Sequence, residues 1–358
     1  VPYEPWMLDG HVELREQVHG CVNCAKGEND TPLGNVLPAY EPQFRLILIE
    51  PEPEPVKMRA ETRTARLQFR QDSYNILPKF KNNRAELDSV SHSVEMVKGN
   101  ADVSITGIYI TGYASPEGSV AHNLKLSENR AKALVDYIHR HNDIAADLLH
   151  VDWKGEDWEG FRRVLADFPG LLKRDEVYRI IDECQGDRDV CEKQLQDLVP
   201  ADIYTRLLNE VYPFLRRNEY RIEYNVRNFD LDEARRMLSE RPDLLSLHEM
   251  YKVAGSYPKD SPEYRRAMEV AGKYYPQLPA VLNDRARAAM NAGRYDEAVA
   301  LLEKANPTDP RLLNTLGVAY AGMGEPYKAR QAFERAASQN CAEAAHNLKE
   351  IKNVINQL

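Results

Sequence analysis

No stretch of this 358-residue sequence is long, apolar and uncharged enough to make a membrane-spanning helix, and the mean hydropathy is −0.58. No block of lysine and arginine is dense enough to follow a phosphate backbone, and the formal net charge is −9, which argues against a nucleic-acid partner. Catalytic signatures are missing as well: there is no H-E-x-x-H, G-x-S-x-G, Walker loop or dinucleotide fingerprint. Of the nine histidines, His139 and His141 sit two apart on one helical run and so point to different faces. The acidic pairs Glu156–Asp157 and Asp232–Glu233 read as solvated surface. Nothing here points to catalysis, and no cofactor or metal is expected. The chain begins Val1-Pro2-Tyr3, without methionine or a visible export signal, and so reads as a processed or trimmed product. Cysteine is scarce: five is an odd count, so at least one lacks an intramolecular disulfide partner.

What is present suits two or three globular domains, with 43% hydrophobic residues. An alternating apolar run from Ile105 to Ile110 leads through Gly112 into a turn-rich patch at Ser115, Pro116, Glu117 and Gly118. Beyond it, apolar positions at Leu126, Leu134, Val135 and Ile138 predict an amphipathic helix over 120–140. Strand alternation appears again from residue 61 through Ala65, Leu67 and Phe69, near Leu148–Trp153 and over Glu219–Val226. Phe44–Ile49 is a further candidate strand. Glu50-Pro-Glu-Pro-Glu-Pro55 must be extended, because each proline fixes its own φ and disfavours helix at the residue before it.

The spelling of the strand, turn and helix, Gly112-Tyr113 followed by Gly118, Asn123, Leu126-Ser127 and Arg130-Ala131, resembles the signature of the OmpA C-terminal-like family. Leu67-Gln68-Phe69, Asp72 and Ile76-Leu77-Pro78 look like that family's first strand and the start of its first helix. Gly155-Glu156 and Tyr220-Arg221-Ile222-Glu223 match positions after its third strand and on its last. The resemblance implies an α+β domain over about 61–228, with a mixed sheet and helices on one face. The 64 positions between Glu156 and Tyr220 exceed the family's usual spacing and read as a helical insertion over about 157–218.

In that family the module holds the peptidoglycan of a Gram-negative envelope. An Asp at the position of Ser115 and an Arg at the position of Arg130 grip the amine and carboxylate of diaminopimelate. A guanidinium suits a carboxylate because it can bond it twice. Here Arg130 is kept and the acid is replaced by Ser115, an uncharged acceptor. Glu117, two residues on, is a candidate stand-in, and Asn123 completes the candidate cleft. Alternatively Arg130 simply packs and pairs for structure. The partner implied is therefore peptidoglycan, weakly bound or lost, or another envelope protein. The location implied is the periplasm or outer membrane.

An oxidising periplasm would permit a clip between Cys184 and Cys191 across the turn Gln-Gly-Asp-Arg-Asp-Val. Cys21 and Cys24 form a C-x-x-C. Zinc would need a second pair of ligands nearby, and a redox pair would open a helix after a strand. A loop with Gly27, Asn29, Asp30, Pro32 and Gly34 follows instead, so a local disulfide or two idle thiols is the expectation. Cys341 is expected to be buried as a small apolar residue.

From 229 to 358 the pattern is helical and repeats. Ala267, Ala298 and Ala329 recur at a 31-residue interval, as do Tyr274, Ala305 and Ala336, and Gly293 and Gly324 mark turns between successive helices. This resembles the tetratricopeptide repeat, an all-α array of stacked helix pairs whose small residues let helices approach closely. Three pairs and a terminal helix from Ala342 to Ile355 are expected. In that register Asn283, Arg287, Arg311 and Asn314 should face a groove that takes a protein or peptide partner, Asn by bonding backbone and Arg by holding carboxylates. The alternative is that they cap or bridge helices. The whole reads as a non-catalytic envelope protein that docks to wall or envelope components and recruits a protein. The other reading is an accessory or assembly factor of a surface structure such as a fimbria, with wall binding lost.

Overall fold

The N-terminal strands His11–His19 (β1) and Ala25–Asn35 (β2) pair antiparallel as an exposed two-stranded sheet, with Arg15 and Asp30 forming a cross-strand ion pair at 2.9 Å, so residues 27–34, expected as a loop, are strand. The computed structural model describes residues 7, 10–19, 25–36, 40–70, 73–184, 186–259 and 261–356. Cys21, Cys24 and Asp72 lie outside the described residues. The chain divides into two units, one formed by Glu54–Asp230 and the other by Val1–Pro53 together with Leu231–Leu358.

Glu54–Asp230 is built on a four-stranded mixed sheet of Lys57–Ala65 (β3), Val103–Ala114 (β4), Leu149–Glu156 (β5) and Asn218–Val226 (β6), in the order β3-β6-β4-β5. Only β4 and β5 run parallel, and a parallel pair needs a crossover. The helix Val120–Asn142 (α2) supplies it, after Asn83–Lys98 (α1) has linked β3 to β4. Ile108, Ile110, Tyr220 and Ile222 are buried with Leu87, Val90, Val94, Leu134 and Ile138, while Tyr109 and Trp153 look outward. Gly112 lets α2 approach β4, since a Cβ there would stand 2.2 Å from the Ser127 carbonyl oxygen. Lys57 pairs with Val226, so the two ends of this domain lie side by side.

Two boundaries differ from expectation. The first strand is Lys57–Ala65, earlier than the expected start at 61, and Leu67 and Phe69 are buried beyond its end. The first helix begins at Asn83 and not near Ile76. The Asn83 side chain holds the intervening loop, donating to the carbonyls of Gln68 (2.8 Å) and Leu77 (3.0 Å).

Between β5 and β6 lie Trp158–Val164 (α3), Arg174–Glu183 (α4), Arg188–Gln196 (α5) and Asp202–Arg206 (α6). They close over their own core of Phe161, Leu165, Val177, Ile180, Leu195, Leu207, Val211 and Tyr212. The Cys184–Cys191 disulfide is formed and ties the end of α4 to the first turn of α5.

The second unit carries eight helices among its described residues: Leu231–Glu240 (α7), Leu247–Gly255 (α8), Pro262–Tyr274 (α9), Pro279–Asn291 (α10), Tyr295–Ala305 (α11), Pro310–Gly322 (α12), Pro326–Ala337 (α13) and Ala342–Ile355 (α14). Proline opens four of them, where its missing N–H costs nothing. Gly293 and Gly324 adopt φ of +75° and +76°, and each is followed by a backbone bond that closes the helix end: Arg294 N–H to Ala289 O at 2.9 Å, Glu325 N–H to Tyr320 O at 3.0 Å. Ala267, Ala298 and Ala329 are fully buried at the recurrent position.

The residues before the domain start expected at 61 are shared between the two units. Residues 40–53 belong with the helices of the second unit, and Lys57 opens the sheet of the other. Phe44–Ile49 is extended as expected but is no strand, because side chains of the helical array, and not a neighbouring strand, receive its backbone.

Candidate functional site

In the α+β domain, the residues around the turn 115–120 converge as a set of interlocked polar bonds. Asn123 (1% exposed) donates to the carbonyls of Glu117 (2.9 Å) and Gly118 (3.2 Å) and to Glu156 Oε1 (2.8 Å). Trp158 Nε1 donates to Glu156 Oε2 at 2.8 Å. Burial pushes the Glu156 carboxyl up, and these two donors pull the other way. Asp157 is buried too and receives Arg217, which also bonds Glu219 at 3.0 Å. The expectation that Glu156 and Asp157 are solvated is therefore corrected: the helical insertion covers them.

Ser115 is buried, and the cation placed on it is Arg216, whose Nε donates to Ser115 Oγ at 3.2 Å while Nη2 meets Glu117 Oε1 at 2.7 Å. Glu117, the candidate stand-in anion, is thus engaged by Arg216. Arg130 is also buried, and its guanidinium lies over the Phe69 ring at 4.8 Å. That stacked position fits a cation that also packs. A surface cleft of about 480 Å³ is lined by Tyr74, Asn75, Lys132, Asp136 and Arg140, among others, and by none of the four expected ligand residues.

The backbone donors of the turn are also taken. Gly118 N–H donates to Glu192 Oε1 at 3.0 Å and Val120 N–H to Asp189 Oδ1 at 2.8 Å, both carboxylates coming from α5. Glu192 Oε1 further accepts from Gln196 and from the Tyr204 hydroxyl, each at 3.0 Å. Burial, with Glu192 adding to it, pushes Tyr204 up to about 12. N–H groups entering a helix are natural donors to a carboxylate. Here the carboxylates belong to the chain itself. Sequence reasoning did not single out Arg216, Arg217, Asp189 or Glu192. The adjacent arginines just before β6 were the available signal.

In the helical unit, Asn283 and Asn314 are fully buried. Asn283 Nδ2 donates to Ile47 O (2.8 Å), and Asn314 Nδ2 to Arg45 O (2.9 Å). A third asparagine, Asn347, 33 positions beyond Asn314, takes both sides of Arg45: its Nδ2 donates to the carbonyl (2.9 Å) and its Oδ1 accepts the N–H (2.8 Å). Glu350 accepts Gln43 N–H (2.8 Å) and the Tyr40 hydroxyl (2.7 Å), and His248 bonds Pro51 O at 3.0 Å. Ile47 packs on Leu313, Ala336, Cys341 and Ala344, and Phe44 lies 5.8 Å from Phe333. Cys341 is buried, as expected. Arg287 and Arg311 instead meet acids on their own helices or caps, Asp284 at 3.5 Å and Asp309 at 2.7 Å. No cluster of three or more metal-ligating side chains occurs among the described residues.

Residues 68–162 match the OmpA family and residues 289–350 the tetratricopeptide repeat, so the chain combines an OmpA-type α+β domain with a tetratricopeptide array. Among curated proteins it is similar to Outer membrane protein 41 of Porphyromonas gingivalis, strain ATCC BAA-308 / W83, at 41% identity over 56 residues. That stretch covers 16% of this chain and 14% of the relative, so the likeness reaches a small part of each. Among the described residues no helix is long and apolar enough to cross a membrane.

Proposed function

We propose that this is a non-catalytic protein of the Gram-negative cell envelope, periplasmic or outer-membrane-associated, in which the OmpA-type domain is a scaffold that has given up wall binding and the helical array is the protein-binding part. It fits an accessory or assembly factor of a surface structure. One observation carries the reading: the backbone donors at Gly118 and Val120 are bonded by Glu192 and Asp189, while Arg216 holds Ser115 and Glu117. A ligand carboxylate drawn to those backbone donors would have to displace two charged, hydrogen-bonded groups, each contributing roughly 1.5–3 kcal/mol. Diaminopimelate would find no acid at Ser115 for its amine. The match to the OmpA family favours the other reading, docking to peptidoglycan.

Co-sedimentation with purified sacculi separates the two. The native chain is expected to stay in the supernatant. Saturable sedimentation that free diaminopimelate abolishes would overturn the scaffold reading.

A further inference from the structure

The groove of the array holds a peptide ligand that is part of the same polypeptide but is separated from the array by an entire domain. Its recognition chemistry is that of a general reader of extended chain. Three asparagines in repeat register bond main-chain atoms of residues 45 and 47, and Glu350 bonds the main chain at 43. Side-chain choice enters where Phe44 meets Phe333 and Ile47 enters the patch around Cys341. Backbone bonding gives affinity and alternate side chains give selectivity, the division of labour in strand-like peptide recognition.

The connections on either side are short. Pro51 is held by His248 of the array, and Glu54 is already held by Arg59 of the sheet at 2.8 Å, which leaves Glu52 and Pro53 between them. On the return path β6 ends at Val226 and α7 starts at Leu231. Short hinges joining well-formed elements are the setting in which an identical element passes to a neighbouring copy at little cost, since every contact is remade.

We propose that the partner this groove takes in trans is a second copy of this chain, which donates its own residues 40–51, so that copies link by exchanging this segment. The proposal rests on the reading of the array as a protein-binding module. A second copy is the occupant the contacts favour. It brings the same Phe44, Ile47 and backbone register, whereas a foreign peptide must displace a matched ligand present at an effective concentration of about 1 mM. Exchange between copies therefore rises with concentration.

The test uses the full chain with Cys21→Ser and Cys24→Ser throughout. A donor carries Ile47→Cys and Cys341→Ser, and an acceptor keeps Ile47 and Cys341. The two are mixed at concentrations from about 1 μM up to about 1 mM, the effective concentration of the tethered segment. They are then oxidised with diamide. Light scattering follows the native chain in parallel.

The expected result is a disulfide-linked donor–acceptor pair that increases with concentration, is suppressed by excess synthetic peptide of residues 40–51 and is lost with a Cys341→Ser acceptor. Light scattering should show a matching doubling of molar mass. A third variant, Ile47→Cys with native Cys341, reports closure within one chain. If it closes internally while the mixture stays monomeric by both measures at every concentration, exchange is overturned and the array remains a peptide-binding module. If it closes in neither setting and the native chain is monomeric, the groove reading falls with the proposal.

Discussion

The turn at residues 115–120 and the groove of the array are both filled from within the chain, but by different chemistry. At the turn the fillers are carboxylates, Asp189 and Glu192, aimed at backbone N–H groups beside a cluster of arginines. In the groove the filler is backbone itself, received by neutral amides. Charges buried together are stable only while every partner is present, since removing one leaves another desolvated and uncompensated. Amide ladders lose a bond at a time, each loss smaller. The OmpA-type domain should therefore fail abruptly where the array fails gradually.

The severest challenge to that contrast is Arg217→Met. Burial, the largest influence, would lower the Arg217 guanidinium, but Asp157 and Glu219 together outweigh it and raise it above its ordinary value. Arg217 and Asp157 are both nearly excluded from solvent, so the loss strands the Asp157 carboxylate. The expected cost is about 3–5 kcal/mol. Urea unfolding followed by the near-ultraviolet signal of Trp158, which lies in this unit, would measure it. A cost under about 1 kcal/mol would show that the charged cluster is no more brittle than the amide ladder.

Next comes Asn314→Ala, which deprives Arg45 O of one donor and the Asn347 amide of its acceptor inside a buried site. About 1–3 kcal/mol of array stability should be lost. Arg311→Ala, which breaks only the half-exposed pair with Asp309, should cost about 0–1 kcal/mol. Equal effects in a thermal melt of the two variants would mean that the ladder does not hold the segment.

The smallest effect is a pH dependence. Gln43 N–H, then the Tyr40 hydroxyl, lower the Glu350 carboxyl below its ordinary range. A depressed folded value means that the attachment is complete above the unfolded carboxylate value and is lost as pH falls through the folded one. Amide exchange at Gln43 should speed up at acid pH, relative to the intrinsic rate, and Glu350→Gln should remove that acid-dependent step. A profile unchanged by the substitution would shift the pH dependence to another group.

What could be read from the sequence was what is local and periodic. Gly112 before the turn, the 31-residue recurrence of alanine and the turn glycines Gly293 and Gly324 each encode a close approach or a positive φ in a few neighbouring residues. The OmpA-type sheet followed from the same kind of signal. What escaped depended on distant parts of the chain. Glu156 and Asp157 look like surface charge until an insertion folds over them. Phe44–Ile49 alternates like a strand, and nothing nearby says that its backbone partners lie some 236 to 302 positions away. One clue was within reach: Asn347 follows Asn314 by 33 positions, close to the 31 between Asn283 and Asn314, and three asparagines at near-repeat spacing along an array ask for a backbone to bond.

The pairing of Lys57 with Val226 carries a consequence for the order of assembly. Ile47 and Asn283 are 236 positions apart, and bringing them together in an unfolded chain means closing a very long loop. Once β3 and β6 have paired, that loop shrinks to the residues between Ile47 and Lys57 and between Val226 and Asn283, roughly 67 positions in place of 236. Loop-closure entropy changes by about 0.6 kcal/mol per doubling, so just under two halvings of the loop lower the cost by roughly 1 kcal/mol. The inserted domain thus serves the array as a clasp: its own folding brings the two ends of the interrupted partner together, and the segment reaches its own groove more readily once the sheet has formed.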